Sequence, residues 1–80
     1  MKIQIKVFAA LKEYFSNEFT IELNSNAKLE DLLNELELQN PKAKSILKIC
    51  FAAVDEAYIE KDFPLSENLK LNLFPPASGG

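Results

Sequence analysis

The 80-residue chain contains no histidine, no arginine and no tryptophan, a single cysteine, and no glycine before position 79. Each absence removes a class of function. Without histidine there is no imidazole base, no His-metal site and no Ser-His-Asp triad. Twelve acidic residues against nine lysines give a net charge of −3. With no basic excess and no guanidinium forks, the composition speaks against nucleic acid as a partner. One cysteine, Cys50, permits neither an internal disulfide nor a Cys-rich zinc site. A body free of glycine has no phosphate-cradling loop. No apolar run approaches the length of a membrane span, and the start MKIQIKVF lacks the apolar core of a signal peptide. The expectation is a cytoplasmic chain that binds no metal, no cofactor and no membrane, and that is poor in catalytic side chains.

What remains is ordinary globular material. Hydrophobic residues make up 48% and charged residues 26%, and a chain of this length builds one small core. Ile3, Ile5 and Val7 alternate with Lys2, Gln4 and Lys6, which predicts a strand from Lys2 to Phe8 with one buried face. Leu11, Tyr14 and Phe15 shift to helical spacing. Phe19, Ile21 and Leu23 then alternate in a second strand, most economically paired antiparallel with the first. Asn24-Ser25-Asn26 breaks the pattern and offers helix caps. Leu29, Leu32, Leu33 and Leu36 fit the i, i+3, i+4, i+7 template of a buried helical stripe, with Glu30 and Asp31 in the first turn where the dipole favours acids. Asn40-Pro41 restarts a helical turn. Ile49 to Val54 is a short apolar run of strand length, Asp55-Glu56 turns it, and Ala57 to Glu60 reads as its partner. Leu69, Leu71 and Leu73 alternate in a last strand.

The order is β, β, α, β, β, β. The leucine stripe and the inner faces of the strands have only one another to bury against, so the helix covers one face of a mixed sheet. This is an α+β architecture of the β-grasp, or ubiquitin-like, kind. It divides into a folded domain over residues 1–74 and a flexible tail over 75–80.

The tail concentrates the unusual chemistry. Both glycines of the chain close it, as Gly79 and Gly80, which two independent draws at background frequency would produce about 0.5% of the time. They follow Phe74-Pro75-Pro76-Ala77-Ser78. The prolines stop sheet pairing and favour an extended exit. Without Cβ atoms, the last two residues can thread a channel too narrow for side chains. The reactive group delivered there is the α-carboxylate of Gly80, which becomes an electrophile once its oxygen is turned into a leaving group by adenylation.

This ending resembles the Phe-Pro-Pro-x-x-Gly-Gly tail of the small subunit of molybdopterin synthase, the MoaD-like sulfur carriers. The likeness extends to Val7-Phe8-Ala9 with Lys12-Glu13, to Ala52-Ala53-Val54, and to Pro64-Leu65, so it covers nearly the whole chain. It implies that Gly80 is adenylated by a ubiquitin-activating-like adenylyltransferase using ATP. A sulfur-donating enzyme then converts it to a thiocarboxylate. Residues Pro75, Pro76, Ala77, Ser78, Gly79 and Gly80 would enter the active site of the large synthase subunit, within a heterotetramer. There sulfur passes to a cyclic pyranopterin monophosphate to build the molybdopterin dithiolene. The chain itself would be a carrier subunit that supplies no catalytic side chain. It departs from the family pattern in having lysine at position 12 where arginine is common, Asp55 where asparagine is common, and Asn68-Leu69 in place of a Gly-Asp turn.

Period-2 arithmetic sets Phe8 on the face of Lys2, Gln4 and Lys6, and Phe74 on the face of Lys70 and Asn72. In a β-grasp sheet the first and last strands run side by side, which brings these rings together where the tail departs. Tyr58, out of phase with Ile59, is a candidate third member. The same residues could instead turn inward through a strand-end twist; the family resemblance assigns Phe8, Tyr58, Phe74 and Lys12 to the partner interface. Cys50, inside an apolar run, reads as a structural thiol. The acids of the helix and of the turns around Asp55 and Glu60 read as solvated surface. Three other functions share this architecture: a thiamine-pathway sulfur carrier, a ubiquitin-like protein modifier, and an interaction module whose Gly-Gly is incidental. Thiamine-pathway carriers usually lack the Phe-Pro-Pro run.

Overall fold

The computed structural model describes residues 1–76. The expectations for Ala77, Ser78, Gly79 and Gly80 lie outside the described residues. Strand β1 (Lys2–Val7) buries Ile3, Ile5 and Val7 and exposes Lys2, Gln4 and Lys6. A 3₁₀ turn (Ala9–Glu13) follows, anchored by buried Leu11. Strand β2 (Glu18–Glu22) pairs antiparallel with β1, Ile5 opposite Phe19 and Ile3 opposite Ile21. Helix α1 (Leu29–Gln39), a second 3₁₀ turn (Pro41–Ala43) and helix α2 (Lys44–Ile49) come next. Strands β3 (Phe51–Val54), β4 (Ala57–Ile59) and β5 (Leu69–Phe74) complete the sheet.

The strand order is β2-β1-β5-β3-β4. β1 and β5 run parallel at its centre and the other pairs are antiparallel. Leu29, Leu32, Leu33 and Leu36 join Ile3, Ile5, Val7, Leu71 and Leu73 in one core cluster. Full burial of a leucine or isoleucine is worth about 1.5–3 kcal/mol, so this contact between helix and sheet is the main organising force. It is the β-grasp arrangement that the element order predicts.

Three local expectations need correction. The Asn24–Asn26 segment does not cap α1. The residue before the helix is Lys28, whose N–H donates to Asp31 Oδ2 at 2.8 Å. The first two helical N–H groups are taken by chain from beyond β4: Leu29 N–H donates to the Phe63 carbonyl at 3.0 Å and Glu30 N–H to that of Lys61 at 2.9 Å. A distant loop thus satisfies donors that local sequence leaves orphaned. Second, Ile49 belongs to α2 and Cys50 ends that helix, so β3 starts only at Phe51. Third, β1 ends at Val7 and not at Phe8, although Phe8 N–H still donates to the Leu73 carbonyl at 3.1 Å. Asn40 behaves as its position before Pro41 suggests. Its Oδ1 accepts from Lys42 N–H at 3.2 Å, while its Nδ2 donates to the Tyr14 carbonyl at 2.9 Å and ties the helical layer to the first 3₁₀ turn.

Candidate functional site

The parallel register of β1 and β5 pairs Val7 with Leu73, and the next residue of each strand is a phenylalanine. Phe8 and Phe74 stack with ring centroids 4.6 Å apart and planes 18° from parallel. The Lys6 ammonium lies 5.4 Å from the Phe8 centroid, within the range of a cation–π contact. Both rings are half-buried on the outer face of the sheet, so the outward reading of their phase holds and the inward one fails. Pro75 and Pro76 follow directly and are half-buried; lacking N–H groups, they cannot extend the ladder. The stack therefore stands where the ladder ends and the Pro-Pro segment begins.

Tyr58 is 76% exposed, but its link to the stack is indirect. Phe51 is the cross-strand partner of Phe74, is 51% exposed, and lies 5.8 Å from the Tyr58 ring at a 52° tilt. Phe8, Phe74, Phe51 and Tyr58 thus form a row across β1, β5, β3 and β4. Sequence reasoning missed Phe51, because Ile49 to Val54 contains no polar residue to mark which face is outside. Ala52 and Ala53 fall on opposite faces of the strand, so their small size gives no phase either. Ala53, on the outer face between Asn72 and Tyr58 in register, is buried although it lies outside the core cluster.

After Phe8 the chain reverses sharply. Ala9 adopts φ 51°, and Leu11 N–H donates back to the Phe8 carbonyl at 3.1 Å. This places Lys12 exposed on the 3₁₀ turn that follows the stack. Asp55 and Glu56, at φ 50° and 67°, form the two-residue turn between β3 and β4. Asn68, at φ 63°, takes the left-handed conformation that asparagine tolerates better than most residues. Cys50 is half-buried and its Sγ lies 3.3 Å from the Leu47 carbonyl; burial pushes the thiol above its ordinary range. Among the described residues, no group of three or more Asp, Glu or Cys side chains is arranged to hold a metal ion, and no helix is long and apolar enough to cross a membrane.

An aromatic row beside a departing Pro-Pro segment, on a β-grasp body, invites comparison with carriers that work through their C-terminus. The sequence model of the ThiS family matches residues 5–80. The chain belongs to the ThiS family. A relative within reach of this ThiS-family chain is a molybdopterin synthase sulfur carrier subunit from Chlamydomonas reinhardtii, 32% identical over 83 residues and covering 100% of both chains. Among solved structures, a putative molybdopterin converting factor subunit 1 from Pyrococcus furiosus superposes with a TM-score of 0.85 at 26% identity, over 96% of this chain and 99% of that one. The small archaeal modifier SAMP1 from Haloferax volcanii shares the fold at a TM-score of 0.84 and 22% identity, over 100% of both chains. The fold also recurs in a complex of subunits 1 and 2 of molybdopterin-converting factor from Helicobacter pylori, at a TM-score of 0.70 and 23% identity, again over 100% of both chains.

Proposed function

We propose that this ThiS-family chain is the sulfur carrier subunit of molybdopterin synthase, and that it works through the Gly80 carboxylate rather than through catalytic side chains of its own. The observation that carries the reading is the Phe8–Phe74 stack at the exit of the Pro75-Pro76 tail. It is an aromatic docking surface set directly beside the segment to be delivered. Full-length similarity to a molybdopterin synthase sulfur carrier subunit supports it.

The chemistry follows from the carboxylate. An oxygen of Gly80 attacks the α-phosphate of ATP on an adenylyltransferase, and pyrophosphate leaves. The persulfide of a donor enzyme displaces AMP from the acyl-adenylate to give an acyl disulfide. A second thiol of the donor cleaves its S–S bond, forming a disulfide on the donor and leaving the thiocarboxylate. In the large synthase subunit that sulfur attacks a carbon of the cyclic pyranopterin monophosphate as an oxygen substituent leaves that carbon. Hydrolysis of the resulting thioester leaves the sulfur on the pterin and returns the carboxylate. The tail Pro75, Pro76, Ala77, Ser78, Gly79 and Gly80 enters the partner. Phe8, Phe74 and Tyr58 dock against it, with Lys12 at the margin. Buried aromatic anchors of this kind dominate the energetics of such surfaces. A heterotetramer with the large subunit, and a cytoplasmic setting where ATP is at hand, complete the proposal.

A thiamine-pathway carrier shares the family, and the Phe74-Pro75-Pro76 run favours the molybdopterin assignment over it. The test is intact mass spectrometry after incubation with the activating enzyme, ATP and a sulfur source, followed by addition of the large subunit and precursor. A sulfur-for-oxygen increment confined to the C-terminal peptide, discharged by the large subunit, is the expected result. An increment that only a thiazole-forming enzyme discharges would reassign the pathway.

A further inference from the structure

The aromatic row does not end at the sheet face. Around the β3–β4 hairpin it continues into a groove of about 380 Å³ on the helix side. The lining is largely apolar: Leu29 and Leu33 of α1 with Ala52 and Ile59 of the hairpin, and Cys50 beside them. Phe51 and Tyr58 form the lip shared with the row, and Glu60 and Lys61 form the polar margin. The aromatic rings also differ in how far they are already satisfied. Phe8 is covered by Lys6 on one side and Phe74 on the other, whereas Phe51 and Tyr58 keep 51% and 76% of their surface in water. Contact area still to be gained on docking is therefore concentrated at the Phe51–Tyr58 end, beside the groove.

We infer that this groove is the second half of the docking surface, and that it receives one apolar side chain from the large subunit, with Phe51 as the anchor on this chain. The inference rests on the sulfur-carrier reading, because the occupant is identified by continuity with the row beside the tail. An apolar floor with charged residues confined to the margin matches the anatomy of an interface centre. The neutral thiol adds no charge to that floor. Phe8 then acts as a support that holds Phe74 in place, and Phe51 contributes more new contact with the partner.

Cys50 supplies a built-in reporter, since it is the one cysteine of the chain and lines the groove. The experiment measures the rate of maleimide modification of Cys50 in the free full-length chain and in its complex with the cognate large subunit. Alongside it, affinities are measured for Phe51→Ala, Phe51→Leu and Phe74→Ala. Expected results are strong slowing of modification in the complex, roughly tenfold or more loss of affinity for Phe51→Ala, and substantial recovery in Phe51→Leu. Undiminished modification in the complex together with normal binding by Phe51→Ala, while Phe74→Ala binds weakly, would overturn the groove and leave the row intact. Normal binding by both alanine variants would instead remove the docking reading itself. Protection of Cys50 in the concentrated free chain, with a doubled mass in solution, would make the occupant a second copy and overturn the assignment to the large subunit.

Discussion

Phe8 has one ring face under an ammonium and the other against Phe74. Its removal therefore costs the free protein something even though the ring lies outside the core. An aromatic pair contributes about 0.5–1.5 kcal/mol beyond its buried area. Phe8→Ala is expected to lower stability by about 1–2 kcal/mol in a urea melt while the chain stays folded, and to weaken binding to the large subunit. A loss several times larger would place the ring among the core residues. Gly80→Ala separates the other half of the mechanism: docking through the row survives, while adenylation or sulfur transfer fails because a methyl group obstructs the channel. Full transfer by that variant would contradict the requirement for glycine. At Cys50 the thiol is pushed up by burial, so the unfolded chain ionises first as pH rises. The stabilisation from keeping the thiol neutral is complete below the ordinary thiol pKa, about 8.5. It is lost as pH climbs from there through the higher folded value. Comparing Cys50→Ala with the parent between pH 8 and 10 isolates this slope, which the variant lacks.

Among the elements, α1 holds the sheet. Leu32 is fully buried at the centre of its stripe, and Leu32→Ala should cost about 2–5 kcal/mol in chemical denaturation. A neutral result would mean that the helix does not pack as described. The turn between β3 and β4 works in the opposite sense. Both of its residues are left-handed and neither is glycine, although such hairpin turns favour Asn-Gly. Glu56→Gly should therefore raise stability by about 1 kcal/mol, provided the turn keeps its two-residue form. These two elements also mark how far the sequence could be read. The leucine stripe of α1 and the alternation in β1 and β5 are unambiguous because each exposes polar residues on its far side. The same alternation points Phe8 and Phe74 outward but leaves a twist at the strand ends open; the stacked rings decide it. Phe51 could not be placed, since an apolar run without a polar neighbour has no visible period. The start of α1 at Leu29, with Glu30 and Asp31 in its first turn, is legible, but its cap is not: the carbonyls of Lys61 and Phe63 that take its first N–H groups lie more than thirty positions along the chain, beyond the reach of local capping rules.

For the whole molecule, the body reaches four left-handed positions at Ala9, Asp55, Glu56 and Asn68 without using a glycine at any of them. Each non-glycine residue there costs up to about 1–2 kcal/mol, with aspartate and asparagine at the low end. A domain of this size has a total stability of only about 4–12 kcal/mol at 0.05–0.15 kcal/mol per residue, so the body is held by its core and not by relaxed turns. Among the described residues the core cluster reaches no farther along the chain than Leu73. Deleting Gly79 and Gly80 should accordingly abolish transfer and leave Tm nearly unchanged; a large fall in Tm would show that these residues pack against the body. The central pairing of β1 with β5 has a mechanical consequence. Because the two strands are parallel, Lys2 and Phe74 sit at opposite poles of adjacent strands. Tension between those poles, such as a partner gripping the tail would apply, loads the ladder in shear, so its hydrogen bonds resist together instead of unzipping one after another. The strand that leads into the tail is in this way braced against a pull.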